Sequence, residues 1–496
     1  MSTHTSRAIR ALLALALLAA LGAVGCSKTT TPRKPNQPPL TQVFLQGPID
    51  TMSYRVRLHW SGNDPDGDVT GFEIQFTTNG LAPADTAWRF TTMVDSIFAL
   101  PIPDRAAEFT FWVRAVDNAG ARDPHPASLH LDLTNHPPQV DFYNLPHRSH
   151  GGIYHFMPVV TLQWRGSDPE GEHTIRNYHL WLDDGAAGGG FDTLLSQADT
   201  VFTLRMEHFG DVSTTRQHTV HLSVVDEAQA QGNTVSFTWQ VDAYVTNGTR
   251  VLLIDDYNKS PSVMDNTSPM DSMYRNTVNE MTAGRYTLYE TFDHDNFRFA
   301  ADAEELFRHY DLIVWYNEAT ALPTNLNVCA DAVRHFLERG GRLFFSALSV
   351  VGQDRILSDD FHKYYLGVGQ TYCAHPSPPT DCNYTLRSNQ VLKSGNPAVP
   401  GDSLAIPASF LGFLDFFVPA DSTVQEFYLP YQKAGDDTLE TGYVKGNHVG
   451  VATRTVAGGG RTTFSSVALH KMTRFGNRDA VLRRLLQNLQ AGYIRR

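Results

Sequence analysis

Apolar and polar residues alternate with period two through the first half of the chain. Tyr54, Val56, Leu58 and Trp60 face one way, and Arg55, Arg57 and His59 the other. Phe72, Ile74 and Phe76 alternate with Glu73 and Gln75. Val160, Leu162 and Trp164, then Tyr178, Leu180 and Leu182, then Val235, Phe237, Trp239 and Val241 repeat the pattern. Each run predicts a strand with one face in a core. Stretches of roughly 100 residues built this way, between Asp, Gly and Pro turns, predict β-sandwiches.

From Arg250 the period changes. Val251–Ile254, Asp311–Tyr316 and Arg342–Phe345 are short continuous apolar runs, suited to strands covered on both faces. Between the last two, Val328, Ala332, Val333, Phe336 and Leu337 recur at helical spacing, and Gly340-Gly341 supplies the stop. A helix near Met270–Met281, a strand at Tyr286–Glu290, and strands at Val449–Arg454 and Arg461–Val467 extend the series. A last helix, capped by Asn477, carries Ala480, Val481, Leu482, Leu485, Leu486 and Leu489 on its apolar face. The region from about Gly352 to Asn447 reads as irregular. Strands alternating with helices predict a parallel sheet covered by helices.

The alternating half is duplicated. Trp60-Ser-Gly-Asn-Asp-Pro-Asp-Gly67 recurs 104 residues later as Trp164-Arg-Gly-Ser-Asp-Pro-Glu-Gly171. Asn36-Gln-Pro-Pro39 and Asn135-His-Pro-Pro138 open the copies, and Val113–Asp117 and Leu222–Asp226 recur near their ends. Three landmarks in one order identify an internal repeat. The Trp at the end of the second strand and the run Val113–Gly120 (VRAVDNAG) resemble bacterial fibronectin type III domains, over roughly Pro38–Ala243. Neither copy has a cysteine, so the immunoglobulin disulfide is absent, and Phe109 and His218 stand where the family has its corner tyrosine.

The N-terminus gives an address. Arg7 and Arg10 precede the apolar run Ala11–Leu21, which is shorter than the roughly 20 residues of a membrane span. Leu21–Cys26 (LGAVGC) resembles a bacterial lipobox, which implies cleavage before Cys26 and acylation of its thiol. Ser27 after the cysteine matches outer-membrane sorting, and Ser27–Pro39 is a Pro-rich tether. The domain plan is therefore leader 1–25, anchor and tether 26–39, sandwiches 40–136 and 137–245, and an α/β domain 248–496. The 496 residues are 42% hydrophobic and 19% charged, enough for several cores. Their net charge of -12, with no basic cluster, argues against a nucleic-acid partner. Cys373 and Cys382 flank a Pro-rich loop and are expected to pair in an oxidising envelope, while Cys329 falls on the buried side of its helix.

The second half resembles the class I glutamine amidotransferase-like superfamily, a flavodoxin-like sandwich. The resemblance rests on Val251–Tyr257 (VLLIDDY), Tyr310–Asn317 (YDLIVWYN), Phe336–Ala347 (FLERGGRLFFSA) and Gly458–His470 (GGGRTTFSSVALH). It implies a three-layer α/β domain with a Cys nucleophile at a strand-to-helix turn and a His after a late strand. At the turn, this chain has Ser346-Ala-Leu-Ser349, without Cys or an elbow glycine. His470 falls where the family has its base, followed by Lys471-Met472 rather than an acid. Ser346 and His470 are thus the residues a hydrolase or amidase reading would use, and the empty nucleophile position favours binding.

In flavodoxin-like strand order, ligands sit beyond the carboxyl ends of adjacent strands. Those ends carry Asp255, Asp256 and Tyr257, then Asn317 and Glu318, a set suited to sugar hydroxyls or a hard cation. No phosphate-cradling glycine loop follows any strand, which argues against a nucleotide. Asp64, Asp66 and Asp68, joined by Asp117, have the oxygen spacing of a calcium loop as well as that of a plain turn. The whole is expected to be a lipid-anchored envelope protein that binds a glycan or protein partner, the alternatives being an envelope enzyme and a structural spacer.

Overall fold

The computed structural model describes residues 34–45, 54–78, 80–145, 154–183, 185, 190–244, 250–257, 269–291, 297–317, 324–347, 350, 358–371, 384–385, 391–396, 403–405, 413–414, 417–420, 423–429, 448–472 and 478–491. The chain divides into two compact units, Met1–His136 with Ala228–Ala230, and Pro137–Glu227 with Gln231–Arg496. Cys26, Glu318, Cys373, Cys382 and Asn477 lie outside the described residues.

In the first unit, seven strands form two antiparallel sheets. They are β1 (Leu40–Leu45), β2 (Arg55–Asn63), β3 (Val69–Thr78), β4 (Arg89–Thr91), β5 (Asp95–Ala99), β6 (Ala106–Asp117) and β7 (Ala127–Thr134). One sheet runs β1-β2-β5 and the other β4-β3-β6-β7. The alternation read in β2 is realised, since Tyr54, Val56, Leu58 and Trp60 are buried and Arg55 and Arg57 are exposed. Trp60 meets Phe72 and Phe111 from the facing sheet, with ring centroids 6.4 and 5.5 Å away. Such aromatic contacts supply much of a small sandwich core.

The second unit begins with the repeat of that sandwich. Its strands are β8 (Gln139–Tyr143), β9 (His155–Phe156), β10 (Val160–Ser167), β11 (Ile175–Leu182), β12 (Asp192–Ser196), β13 (Val201–Leu204), β14 (Arg216–Asp226) and β15 (Gln231–Val241). Sheets β13-β10-β8 and β12-β11-β14-β15-β9 enclose Trp164, Tyr178, Leu180, Leu222 and Trp239. Trp164 and Tyr178 repeat the edge-to-face pair of Trp60 and Phe72, at 5.8 Å.

The layered region follows in the same unit. Its elements are β16 (Val251–Asp255), α1 (Pro269–Thr282), β17 (Thr287–Glu290), α2 (Ala300–Phe307), β18 (Leu312–Asn317), α3 (Thr324–Glu338) and β19 (Arg342–Ala347). Short strands follow, β20 (Val368–Thr371), β21 (Tyr384–Thr385), β22 (Val391–Ser394), β23 (Ser403–Ala405), β24 (Phe413–Leu414), β25 (Phe417–Pro419) and β26 (Val424–Leu429). Then come β27 (His448–Thr455), β28 (Arg461–Ser465) and α4 (Arg478–Gln490). Strands β17-β16-β18-β19-β28 are parallel neighbours, and β27, β26, β22 and β23 continue the sheet antiparallel.

Period two explains why the middles of the central strands are apolar at consecutive positions. Leu252, Ile254, Ile313, Trp315, Leu343 and Phe345 point to one face, where α2 and α3 pack. Val251, Leu253, Leu312, Val314 and Phe344 point to the other, against α1 and α4. Both faces are covered, as parallel sheets require. At the end of α3, Gly340 has φ 92°; its N–H donates to Leu337 O, and Gly341 N–H donates to Phe336 O. This is a Schellman stop, and it accounts for the paired glycines.

Three expectations need correction. The region expected to be irregular contains β20–β26, two to six residues each, too short to show a period. Val328 is 36% exposed, off the buried stripe of α3 that includes Cys329, Ala332 and Val333. Ala480 is exposed, whereas Val481, Leu482, Leu485, Leu486 and Leu489 form the buried face of α4.

Within this unit the second sandwich and the layered region share one core. Met157, Val159 and Tyr244 of the sandwich belong to the same cluster as Ile313, Trp315 and Phe336. Tyr244 donates to the carbonyl of His309 at 2.5 Å, and Thr161 Oγ1 donates to Asp302 at 2.6 Å.

Candidate functional site

The carboxyl ends of the parallel strands carry one transverse row of polar residues. Register pairs Glu290 with Asp255, Asp255 with Tyr316, Tyr316 with Ser346, and Ser346 with Ser465. Four of the expected residues, Asp255, Asp256, Asn317 and Ser346, therefore do meet at this edge. They do not share a face. Successive side chains of a strand point to opposite sides, so Asp255 turns toward α1 and Asp256 toward α3.

On the α1 side, Asp255 is 3% exposed and paired with Arg275, whose guanidinium lies 3.2 Å away. Arg275 also pairs with Glu290. Burial alone would lower the affinity of this guanidinium for its proton, but the charges of Glu290 and Asp255 outweigh it and hold the proton more firmly. Beside this pair, the rings of Tyr274 and Tyr316 stack at 4.3 Å, and Tyr316 Oη donates to Asp271 at 3.2 Å. Tyr257 is half-buried and its N–H donates to Asp255 at 3.1 Å. The turn carrying His470 packs on α1 and α4, and His470 is 8% exposed.

On the α3 side, Asp256 accepts from Trp315 Nε1 at 3.1 Å and from Asn325 Nδ2. Burial raises its carboxyl to about 6 against the pull of those donors. Asn317 is buried at the end of β18. Cys329, one turn beyond Asn325, is fully buried, and burial pushes its thiol well above the ordinary value. A thiol in that state is inert as a nucleophile.

The edge is thus a paired network rather than a set of open carboxylates. Sequence reading missed Arg275, Glu290 and Asn325. The signal for the first was present: Asp271, Tyr274, Arg275 and Val278 stand at i, i+3, i+4 and i+7, one stripe of α1.

In the first sandwich, Asp117 accepts from Asn36 Nδ2 at 2.5 Å and from the N–H groups of Ala119 and Ala121 at 2.9 and 2.8 Å. Those donors hold its carboxyl below the ordinary value, the Asn36 bond foremost. Asp64 accepts from Asp66 N–H, Asp66 from Gln37 N–H, and Asp68 is exposed. Among the described residues, no three His, Cys, Asp or Glu side chains converge to hold a metal ion. In the second copy, burial and the neighbouring Glu170 raise Asp168 to about 6.

No protein-family model matches the chain, and no curated protein matches it. Similar solved structures include the fibronectin(III)-like modules of Clostridium thermocellum CbhA, at 13% identity over 41% of this chain and 95% of that one, TM-score 0.19. The PKD1 domain of Vibrio anguillarum Epp matches at 18% identity over 20% of this chain and 98% of that one, TM-score 0.15. A two-domain fibronectin type III segment of chicken tenascin matches at 11% identity over 40% and 98%, TM-score 0.16. At such scores the sandwich assignment rests on the strand pairing itself: two tandem β-sandwiches precede a mixed sheet.

Proposed function

We propose that the chain is a lipid-anchored protein of the bacterial cell envelope, sorted to the outer membrane. Its fibronectin-like sandwiches carry a flavodoxin-like domain, similar to class I glutamine amidotransferases, that binds a glycan or an envelope protein without catalysing a reaction. The observation that carries this reading is Ser346. It occupies the strand end where that superfamily has its nucleophile, and it is 0% exposed, beneath the α1 face of the sheet. An attacking group must reach substrate, and a fully covered serine does not. Treating the native protein with a fluorophosphonate probe tests this. Labelling equal to that of Ser346→Ala is expected; labelling of the wild type that Ser346→Ala abolishes would replace the binding reading with an enzyme.

The anchor rests on the lipobox-like Leu21–Cys26. Acyl chains hold a protein to a membrane without a spanning helix, and among the described residues no helix is long and apolar enough to cross one. Wild type is expected in the membrane fraction through salt and carbonate washes. Cys26→Ser is expected to incorporate no fatty-acid label and to accumulate as precursor or in the soluble fraction. A cleaved Cys26→Ser protein that stayed on the membrane would end the lipid assignment.

A further inference from the structure

We propose that the outer face of the β1-β2-β5 sheet rests on the membrane surface, as a second contact beside the lipid at Cys26. Alternation fixes which side chains stand there. Val56, Leu58 and Trp60 belong to the core, so Arg55, Arg57 and His59 stand on the outer side. Register places Phe44 opposite His59 and Ile97 opposite Arg57, on that same side. Leu40 shares it, two alternations earlier in β1, and Met93 and Val94 lie in the turn that leads into β5.

These five apolar side chains are 51–61% exposed. Single exposed apolar residues are ordinary, but a group of them on one face marks a contact surface. The second sandwich, further along the chain from Cys26, exposes Tyr143, Leu194 and Val201, each on a different strand. Nor does the face repel a phosphate headgroup. Among the described residues, the one acid on its outward positions is Asp95, and Arg57 answers it at 2.8 Å.

What selects a lipid surface over another occupant is where the chain comes from. Asn36 Nδ2 donates to Asp117 at 2.5 Å and Gln37 N–H donates to Asp66 at 3.2 Å, so the entering chain is fixed to the sandwich from Asn36 onward. Ten residues lead from Cys26 to Asn36, and fully extended they span at most ~36 Å. With Cys26 acylated, this sandwich therefore stays within about one small-domain diameter of the bilayer. A surface held that close meets the membrane at a high effective concentration, so a weak apolar contact is enough to stay occupied. A soluble partner has no such advantage. The geometry rests on the lipid-anchor reading, and the test is made without the lipid.

The chain from Ser27 onward, which keeps every element described above, is floated with vesicles of phosphatidylethanolamine and phosphatidylglycerol in equal amounts. It is expected to float at millimolar lipid or below. Phe44→Ser/Ile97→Ser should keep the circular dichroism spectrum and require at least about tenfold more lipid, since two exposed apolar side chains no longer leave water. Leu194→Ser, at a more exposed site on the second sandwich, should float as the wild type does. If the wild type does not float at millimolar lipid, the face does not meet a membrane and the proposal is wrong. If the double variant floats as well as wild type, or Leu194→Ser loses as much, the assignment to this face is overturned. A wild-type dimer in sedimentation that the double variant dissociates would replace the membrane with a second copy of this chain. Each of these outcomes leaves the anchor untouched, because acylation is read separately in cells through Cys26→Ser.

Discussion

Replacing Arg275 with methionine is expected to destabilise the layered region by about 3–5 kcal/mol, the usual cost of leaving a buried ion pair half-made. Arg275 reaches from α1 to Asp255 at the end of β16 and to Glu290 at the end of β17. Without it, Asp255 stays 3% exposed with a negative neighbour across the register. Its folded-state pKa would then rise above the unfolded value. Stability carried by such a group is intact below the unfolded pKa and is lost as pH rises. Urea midpoints for Arg275→Met should therefore fall further below wild type at pH 8 than at pH 5. The variant that also carries Asp255→Asn and Glu290→Gln should recover most of the loss, because neutral amides need no counter-charge. A deficit under about 1 kcal/mol at pH 8, or one that did not change with pH, would mean that the network is not held by charge.

That result bears on how the carboxyl edge is read. Adjacent acids in a sequence suggest a concentrated negative site, but alternation sends Asp255 and Asp256 to opposite faces, and each meets a different partner. The first is answered by Arg275, the second by Asn325 and Trp315. The alternation of Val251–Ile254 continues through Asp255 and Asp256 and separates them. The partners were harder to see because α1 and α3 reach the edge through tertiary packing, which no local window contains.

The rest of the fold was legible in proportion to how strongly each element repeats. Tyr54, Val56, Leu58 and Trp60 hold the period over four successive inward positions leading through β2, and every one is buried. The apolar runs of β18 and β19 are buried at every position, and so are Asn317, Arg342 and Ser346 at their ends. The paired glycines after α3 marked its end because only that conformation satisfies the last carbonyls. Strands β20–β26 give no signal, since their two to six residues carry no sustained period and their pairing is set by partners distant in the chain, β27 for β25 and β26. The shared core of the second sandwich was also invisible. Met157, Val159 and Tyr244 sit among residues that look like ordinary sandwich positions, yet they pack with Ile313 and Phe336. The second sandwich is therefore, in this unit, part of one body with the layered region.

The seam between them is expected to weaken as pH rises. Asp302, in the first turn of α2, is half-buried and accepts from Thr161 Oγ1, which is itself 2.8 Å from Thr203 Oγ1. Burial raises its carboxyl from 3.8 to about 7, against the pull of the Thr161 bond and the charge of Arg298. A carboxyl raised in this way is protonated in the fold at pH values where the unfolded chain has released the proton. Its contribution is complete below about pH 4 and is lost as pH climbs through 7. At 1.36 kcal/mol per pH unit the window bounds the loss at ~4 kcal/mol, and solvent reaching the half-buried group lowers that to about 2 kcal/mol. Asp302→Asn keeps the hydrogen bond from Thr161 and carries no charge. It should match wild type near pH 4 and exceed it by about 2 kcal/mol at pH 8. Asp168 and Asp256, each raised to about 6, titrate in the same direction in both proteins and cancel in the difference. Urea unfolding of the two full-length proteins at intervals from pH 4 to pH 8 measures it. Parallel curves across that range would show that Asp302 is ionised in the fold, and the pH-independent contacts of the seam, Met157, Val159 and Tyr244 among them, would then carry its stability.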